Sequence, residues 1–269
     1  MLPATLLAPI ATTALLLFDI DGVIRDVGGS YRRALAETVH HYSGWRPEPD
    51  CIDALKSEGA WNNDWDASLE LLRRSNSPLP TRQELIGVFS DFYFGGDPDG
   101  PAQQWHGFIG SEPLLLDADF FKALSAAGLV WGFVSGAEPP SARYVLEQRL
   151  GLINPPLVAM GDAPDKPNPQ GLIQLASQLL TRHGCSPLGR GAPPVAYLGD
   201  TVADVRTLLN AKKLVPNQRW LSLAVAPPHL HSAENQLARN SYGQTLMAAG
   251  ADRLLLHPRE SLEVMLELS

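Results

Sequence analysis

The sequence predicts an α/β fold: a doubly wound, Rossmann-like parallel sheet interrupted early by an all-helical insert. Three observations predict it. Short, wholly apolar runs recur along the chain and end in small or acidic residues. Helical patterns closed by glycine alternate with these runs in the second half of the chain. Between about residues 27 and 112 the helical patterns follow one another with no apolar run between them. A short apolar run fits a strand covered on both faces, and strand–helix alternation calls for parallel strands joined by right-handed crossovers.

Taken in order, Ala14–Phe18 is the first predicted strand and runs directly into Asp19-Ile20-Asp21-Gly22. Four helices are then expected, over Tyr31–Tyr42, Asp50–Ser57, Asp64–Ser75 and Thr81–Phe94. Pro47-Glu48-Pro49 and Pro78-Leu79-Pro80 separate members of this set, and Asp97-Pro98-Asp99-Gly100-Pro101 reads as a turn near its exit. The alternation then begins. A helix over Asp117–Ala127 presents Phe120, Phe121 and Leu124 and stops at Gly128. A strand over Leu129–Val134 ends at Ser135-Gly136, and a helix over Ser141–Leu150 ends at Gly151. Further strands are expected at Leu157–Met160, Val195–Leu198, Trp220–Val225 and Arg253–Leu256. The helices beside them are Gln170–His183, Val202–Ala211, Gln236–Ala249 and Glu260–Leu268. Glycine just past several of these helices is the expected stop signal. The division that follows is a core of 1–26 plus 113–269 and a helical domain of 27–112.

Composition bounds the function. The 269 residues suffice for a core and a smaller inserted domain, and 45% apolar with 19% charged residues is ordinary for a soluble globular chain. A net charge of -8 lacks the basic footprint of a nucleic-acid binder and disfavours an anionic membrane surface. It still permits phosphate compounds where a metal or a few cations line the pocket. The two cysteines, Cys51 and Cys185, are far apart and in no metal-binding spacing, so they read as free thiols in a reducing, cytoplasmic setting. The apolar first residues carry no Lys or Arg ahead of the run and are interrupted by Pro3 and Pro9, which reads as an untargeted chain. No run reaches the roughly 18 apolar residues of a membrane span. Oligomeric state leaves no signal.

In an open parallel sheet, ligands bind beyond the carboxyl ends of the strands. Four predicted units end in polar groups that would meet there. The first offers Asp19 and Asp21, and the second offers Ser135 and the Gly136 amide. The third is followed by Lys166, within Asp165-Lys166-Pro167-Asn168-Pro169. The fourth offers Asp200, with Asp204 one helical turn later. Each has a bland reading: a turn at Asp19–Gly22, a helix cap at Ser135, a solvated loop lysine, and acids favoured at a helix N-terminus. Their coincidence at successive strand ends is what the bland readings leave unexplained.

The ordered set Asp19-Ile20-Asp21-Gly22-Val23, Val134-Ser135-Gly136, Lys166-Pro167-Asn168-Pro169 and Gly199-Asp200-Thr201-Val202-Ala203-Asp204 resembles the four signature motifs of the haloacid dehalogenase-like (HAD) superfamily. With a helical insert after the first motif, the chain is similar to the capped relatives of phosphoglycolate phosphatase and β-phosphoglucomutase. The resemblance implies a magnesium-dependent phosphatase acting on a small phosphorylated metabolite through an aspartyl phosphate. It implies Asp19 as nucleophile and Asp21 as general acid and base. It assigns Mg2+ to the Asp19 and Asp200 side chains and the Asp21 carbonyl, with Asp204 supporting from behind. Ser135, Gly136 and Lys166 would hold the phosphoryl oxygens. The chemistry is sound on its own terms, because a carboxylate attacking an anionic ester needs a cation to offset their repulsion. Magnesium takes oxygen ligands and keeps several waters. Asp21 favours phosphoryl chemistry over the dehalogenase branch of the family. Val23 stands where many family phosphatases have Thr, which leaves a sugar phosphomutase as an alternative. A binding or regulatory protein that kept the fold and lost activity is a third reading.

In the helical domain, Gly59-Ala60-Trp61-Asn62-Asn63-Asp64-Trp65 lies between two helices. Similar capped phosphatases bring a loop at this place down to the site, so Trp61, Asn62 and Asn63 are candidates for the leaving group. The opposing reading is that both tryptophans pack within the domain and the polar residues cap the next helix. Arg25-Asp26 and Gly28-Gly29 mark the exit from the core. His229 and His231 follow the fifth strand on the side of the site. His40-His41, Arg32-Arg33 and Arg73-Arg74 read as solvated helix faces, with one arginine a possible contact for an anionic leaving group.

Overall fold

A computed structural model describes residues 12–61 and 63–267. The first eleven residues, and the reading of an untargeted N-terminus made on them, lie outside the described residues.

The chain opens with β1 (Ala14–Phe18), every residue of which is fully buried. Four helices follow: α1 (Tyr31–Ser43), α2 (Pro49–Ser57), α3 (Asp64–Arg74) and α4 (Arg82–Tyr93). Two short 3-10 turns lead to α5 (Ala118–Ala126), β2 (Leu129–Val134) and α6 (Pro139–Arg143). A π-helical segment at Tyr144–Arg149 extends α6. The rest comprises β3 (Leu157–Val158), α7 (Gln170–Arg182), β4 (Val195–Gly199), α8 (Val202–Leu214), β5 (Trp220–Val225), α9 (Gln236–Ala249), β6 (Arg253–Leu255) and α10 (Ser261–Leu266).

The six strands form one sheet in the order β3-β2-β1-β4-β5-β6, and neighbouring strands are parallel throughout. Because the order reverses between β1 and β4, the carboxyl ends of these two strands open a crevice, the usual ligand site of such sheets. The alternation of side chains along β1 shows how both faces are covered. Ala14, Leu16 and Phe18 join a cluster with Phe120, Phe121 and Leu124 of α5 and Val145 and Leu146 of the α6 extension. Leu15 and Leu17 enter the opposite cluster, with Leu172, Leu175 and Leu179 of α7 and Leu208 of α8.

Helices α1, α3 and α4 pack around a separate cluster that includes Leu35, Val39, Leu71, Phe89 and Tyr93. Local chemistry places these helices. Asn63 accepts hydrogen bonds from the Trp65 and Asp66 amides to cap α3, and Thr81 with Glu84 forms a capping box for α4. The chain leaves and re-enters the sheet layer as two adjacent strands of backbone, with Arg25 bridged to Leu114 and the Leu115 amide donating to the Ile24 carbonyl. No helix among the described residues is long and apolar enough to cross a membrane.

Several expected elements differ in bounds or geometry. The third strand is two residues rather than four, because the Ala159 amide turns to Asp162 Oδ2 (2.9 Å) and Met160 bridges Ala163. The helix expected over Ser141–Leu150 starts at Pro139 and changes to π geometry at Tyr144. The final helix begins at Ser261, after a 3-10 turn over Pro258–Glu260, and is described to Leu266.

Candidate active site

Asp19 leaves the end of β1 and Asp200 the end of β4, so the parallel register of these strands sets the two carboxylates side by side. Together with Asp204 they offer one oxygen each within 4.8 Å of one another, and all three residues are buried. Lys166 Nζ reaches into this group, 2.9 Å from Asp19 Oδ2 and 2.6 Å from Asp204 Oδ1. Glycine makes the approach possible. Gly22 has φ +76°, and a Cβ there would stand 2.0 Å from Asp200 Oδ2. At Gly199 a Cβ would stand 2.2 Å from that of Asp204.

The four groups are held very differently. Asp204 is saturated: Oδ1 faces Lys166 and the Tyr197 hydroxyl, and Oδ2 accepts from the Thr201 amide and hydroxyl in a capping box that starts α8. Burial would raise its carboxyl, but Lys166 and the Thr201 hydrogen bonds more than offset that and hold it below the usual range. Asp19 accepts the Ile20 amide at Oδ1. Burial lifts it to about 6 against the opposing charge of Lys166. Asp200 makes no hydrogen bond or ion pair among the described residues. Burial, then the charges of Asp204 and Asp19, push its carboxyl well above the usual range. Burial would lower the Lys166 ammonium, yet Asp19 and Asp204 raise it well above an ordinary lysine.

A carboxylate without a partner, nine-tenths buried beside two others, is costly unless a cation joins it. The donor set is all oxygen, which suits a hard divalent ion rather than a thiolate-seeking one. The residues present therefore fit a magnesium-type ion at Asp19 and Asp200. Both oxygens of Asp204 are already engaged, which places it as the anchor of Lys166.

Ser135 and Gly136, at the end of β2, line the same cavity, and the Ser135 hydroxyl accepts the Ala137 amide at 3.2 Å. Asp21 lines it too, but its Oδ1 is held 2.7 Å from Arg25 Nε. The helical insert supplies the opposite wall, including Tyr31, Arg32, Asp53, Lys56, Asn63 and Trp65, and the enclosed volume is about 210 Å³.

The loop residues behave unequally. Asn63 both caps α3 and lines the cavity. Trp61 is not among the lining residues; its indole N–H donates to Glu58 Oε2 at 2.8 Å and its ring packs on the helical cluster. Asn62 lies outside the described residues. Trp65, left between two readings by the sequence, lines the cavity. Arg32 is not a solvated face: it lines the cavity and bonds Asp53. Arg33 lies over the Phe108 ring, and Arg73 and Arg74 pair with Glu70. His229 meets Asp53 across the cavity at 2.9 Å, whereas His231 bonds the Ala226 carbonyl.

Sequence reasoning missed Tyr197, Asp53 and the Arg25 contacts. Tyr197 sits within an apolar strand run, and its hydroxyl, 2.8 Å from the Val134 carbonyl and 2.9 Å from Asp204, has no signature in spacing. Asp53 lies on α2, in a pattern that reads as an ordinary amphipathic helix.

The sheet order, the acidic trio at β1 and β4 and the lysine between them define a Rossmann-like hydrolase site. The family model for haloacid dehalogenase-like hydrolases matches residues 13–212, and the chain belongs to that family. A curated relative, the imidazoleglycerol-phosphate dehydratase of Phytophthora nicotianae, is 27% identical over 195 residues; these are 71% of this chain and 40% of the relative, so the chain spans well under half of that protein. Among solved structures, a phosphonoacetaldehyde hydrolase-like protein from Oleispira antarctica superposes with a TM-score of 0.63 at 15% identity, covering 100% of this chain and 96% of that one. A HAD family hydrolase from Deinococcus radiodurans, with phosphate and sodium bound, gives 0.60 at 18% identity, covering 96% and 97%. A candidate β-phosphoglucomutase from Thermotoga maritima gives 0.57 at 16%, covering 95% and 100%. At these identities the structures share the fold.

Proposed function

We propose that the protein is a magnesium-dependent phosphatase that hydrolyses a small phosphate monoester through a phosphorylated Asp19, with the insert of residues 27–112 acting as a cap over the site. The observation that carries this reading is the buried, partnerless Asp200 carboxylate beside Asp19, with Lys166 fixed 2.9 Å from Asp19. The Deinococcus structure, which holds phosphate and a cation on the same fold, supports it.

Asp19 and Asp200, with the Asp21 carbonyl, would hold the ion. When bound, the ion offsets the repulsion between carboxylate and ester and spreads the charge of the transferring phosphoryl group. The chain's own residues do the rest. Asp19 attacks phosphorus; a bond forms from its carboxylate oxygen to phosphorus as the bond from phosphorus to the alcohol oxygen breaks. Asp21 supplies the proton that the departing alcohol oxygen needs. It then removes a proton from the water that attacks the aspartyl phosphate, which restores the Asp19 carboxylate and frees phosphate. Lys166 neutralises charge at Asp19 and on the phosphoryl oxygens, anchored from behind by Asp204 and Tyr197. Ser135 and the Gly136 amide bind phosphoryl oxygens at the end of β2. The wall of the insert limits water at the first step.

The test is phosphate release from a panel of phosphate esters, imidazoleglycerol phosphate among them, with and without magnesium. Asp19→Asn is expected to abolish turnover while leaving the circular dichroism and melting profile folded. Turnover at the wild-type level in that variant, or activity unchanged in excess chelator, would refute the nucleophile or the metal respectively.

A further inference from the structure

The wall of the cavity that faces the leaving group carries two basic side chains besides His229, and both are already answered. Arg32 Nη2 bonds Asp53 Oδ1 at 2.5 Å, and Asp53 Oδ2 lies 2.9 Å from His229 Nε2. Lys56 Nζ lies 2.7 Å from Asp64 Oδ1, at ion-pair distance though not aligned as a hydrogen bond. These side chains are only 14% to 23% exposed, so solvent screens the pairs weakly. Burial would raise the Asp53 carboxyl, yet His229 and Arg32 hold it below its usual range, so it stays ionised. Asp26 and Asp165 add further carboxylates to the lining, and Asp66, also there, is paired with Arg82 at 3.0 Å. A second anionic group on a substrate would therefore meet paired cations and surplus negative charge.

A separate observation narrows the choice. Trp65 lines the cavity at 8% exposure, and its buried indole N–H has no acceptor among the described residues. An indole N–H only donates, so it calls for an acceptor. An ammonium group offers none. A carboxylate would accept but is opposed by the surrounding acids. A hydroxyl accepts from the indole and donates to a neighbouring carboxylate, satisfying both.

We infer that the leaving group is an uncharged, hydroxyl-bearing alcohol, a small polyol or sugar, and that Asp53 and Asp64 set this specificity by neutralising Arg32 and Lys56. The inference rests on the phosphatase reading above and adds to it the class of ester. It sets this chain apart from an enzyme for phosphoglycolate, whose leaving group carries a carboxylate, and from a mutase fed by a sugar bisphosphate.

The experiment compares kcat/KM for glycerol phosphate, glucose 6-phosphate, phosphoglycolate, glucose 1,6-bisphosphate and phosphoethanolamine. The neutral polyol esters are expected to lead the charged ones by about tenfold or more, a difference of about 1.4 kcal/mol in transition-state binding. Asp53→Asn, which unmasks Arg32, is expected to raise phosphoglycolate relative to the polyol esters by a similar factor. Adding Arg32→Gln to that variant is expected to cancel the gain. Should Asp53→Asn fail to fold, Asp64→Asn makes the same test through Lys56. Phosphoglycolate or the bisphosphate leading in the wild type would overturn the inference, as would phosphoethanolamine leading, or no change of ranking in a folded variant. Calorimetric binding of the same esters to Asp19→Asn separates the two proposals. The predicted ranking without turnover by the wild type would keep this inference and sink the hydrolase reading. Equal binding of all five would overturn this inference and leave the chemistry standing.

Discussion

Replacing Arg25 by methionine tests whether the junction between sheet and insert is built on a buried charge. The Arg25 side chain is 0% exposed. Its Nε donates to Asp21 Oδ1 at 2.7 Å, Nη1 to Glu112 Oε2 at 2.9 Å and Nη2 to Ser141 Oγ at 2.8 Å. Glu112, also 0% exposed, accepts in addition from Ser30 Oγ at 2.5 Å and Tyr93 OH at 3.1 Å. Burial already pushes the Glu112 carboxyl upward despite Arg25 and these donors. Arg25→Met therefore strands a buried acid, a change that costs about 3–5 kcal/mol, a large part of the roughly 5–15 kcal/mol available to a folded domain. The double change Arg25→Met with Glu112→Leu removes both charges and is expected to recover most of that loss. Urea unfolding followed by circular dichroism reads both, as a fall in midpoint at constant slope. A cost below about 1 kcal/mol for the single change, or no recovery in the double, would refute the reasoning. Activity supplies a second readout. The double variant still lacks the group that orients Asp21, so it is expected to lose turnover of alkyl phosphates far more than of p-nitrophenyl phosphate, whose leaving group needs no proton.

Two further outcomes follow from the acidic trio. The raised carboxyls of Asp19 and Asp200 hold protons that the unfolded chain has lost, so they favour folding at low pH and cease to do so as pH rises, Asp19 through about 6. Magnesium is expected to raise Tm more at about pH 7.5 than at about pH 5, and Asp200→Asn to melt higher than the metal-free wild type while losing the magnesium shift. A larger shift at the lower pH, or a magnesium shift retained in Asp200→Asn, would remove the ion from this site. Gly22→Ala forces a side chain into left-handed backbone at a cost of about 1–2 kcal/mol and drives its Cβ into Asp200. Calorimetry is expected to show magnesium binding lost there and kept in Gly29→Ala, where a Cβ meets nothing within 4 Å; equal binding by the two would show that the approach of Gly22 to Asp200 is dispensable.

The central strands β1 and β4 were legible because their burial is uniform. Ala14–Phe18 is apolar throughout and buried throughout, so the run and its acidic end name both the strand and its ligand-facing tip. Asp19, Ser135 and Asp200 are readable for the same reason: each follows directly from a strand. Lys166 comes from a loop, and only its company with the other three marked it. What stayed hidden depends on tertiary neighbours. Arg25 is a charged residue four positions after Asp21, and nothing local tells that Glu112, 87 residues on, will bury it. The third strand stops early because the side chain of Asp162 takes a backbone donor that a strand would have used. Helix α8 runs to Leu214, past the expected Ala211, with Lys212 and Lys213 in its last turn, where they favour the helix dipole.

Charge is distributed unequally between the floor of the cavity and its wall, and the inequality orders binding. On the floor, three carboxylates face one ammonium, and two of the three are held against the cost of burial without full compensation. On the wall, Arg32 and Lys56 each meet a carboxylate of their own. A phosphate dianion arriving at the bare floor would meet net negative charge, with Lys166 already shared between Asp19 and Asp204. Its affinity there must depend on a cation taken up beforehand by Asp19 and Asp200, whereas the wall, whose cations are already paired, contributes shape and hydrogen bonds that need no ion. Binding of inorganic phosphate should therefore vanish in chelator. Binding of a phosphate-free polyol should be weak and indifferent to it.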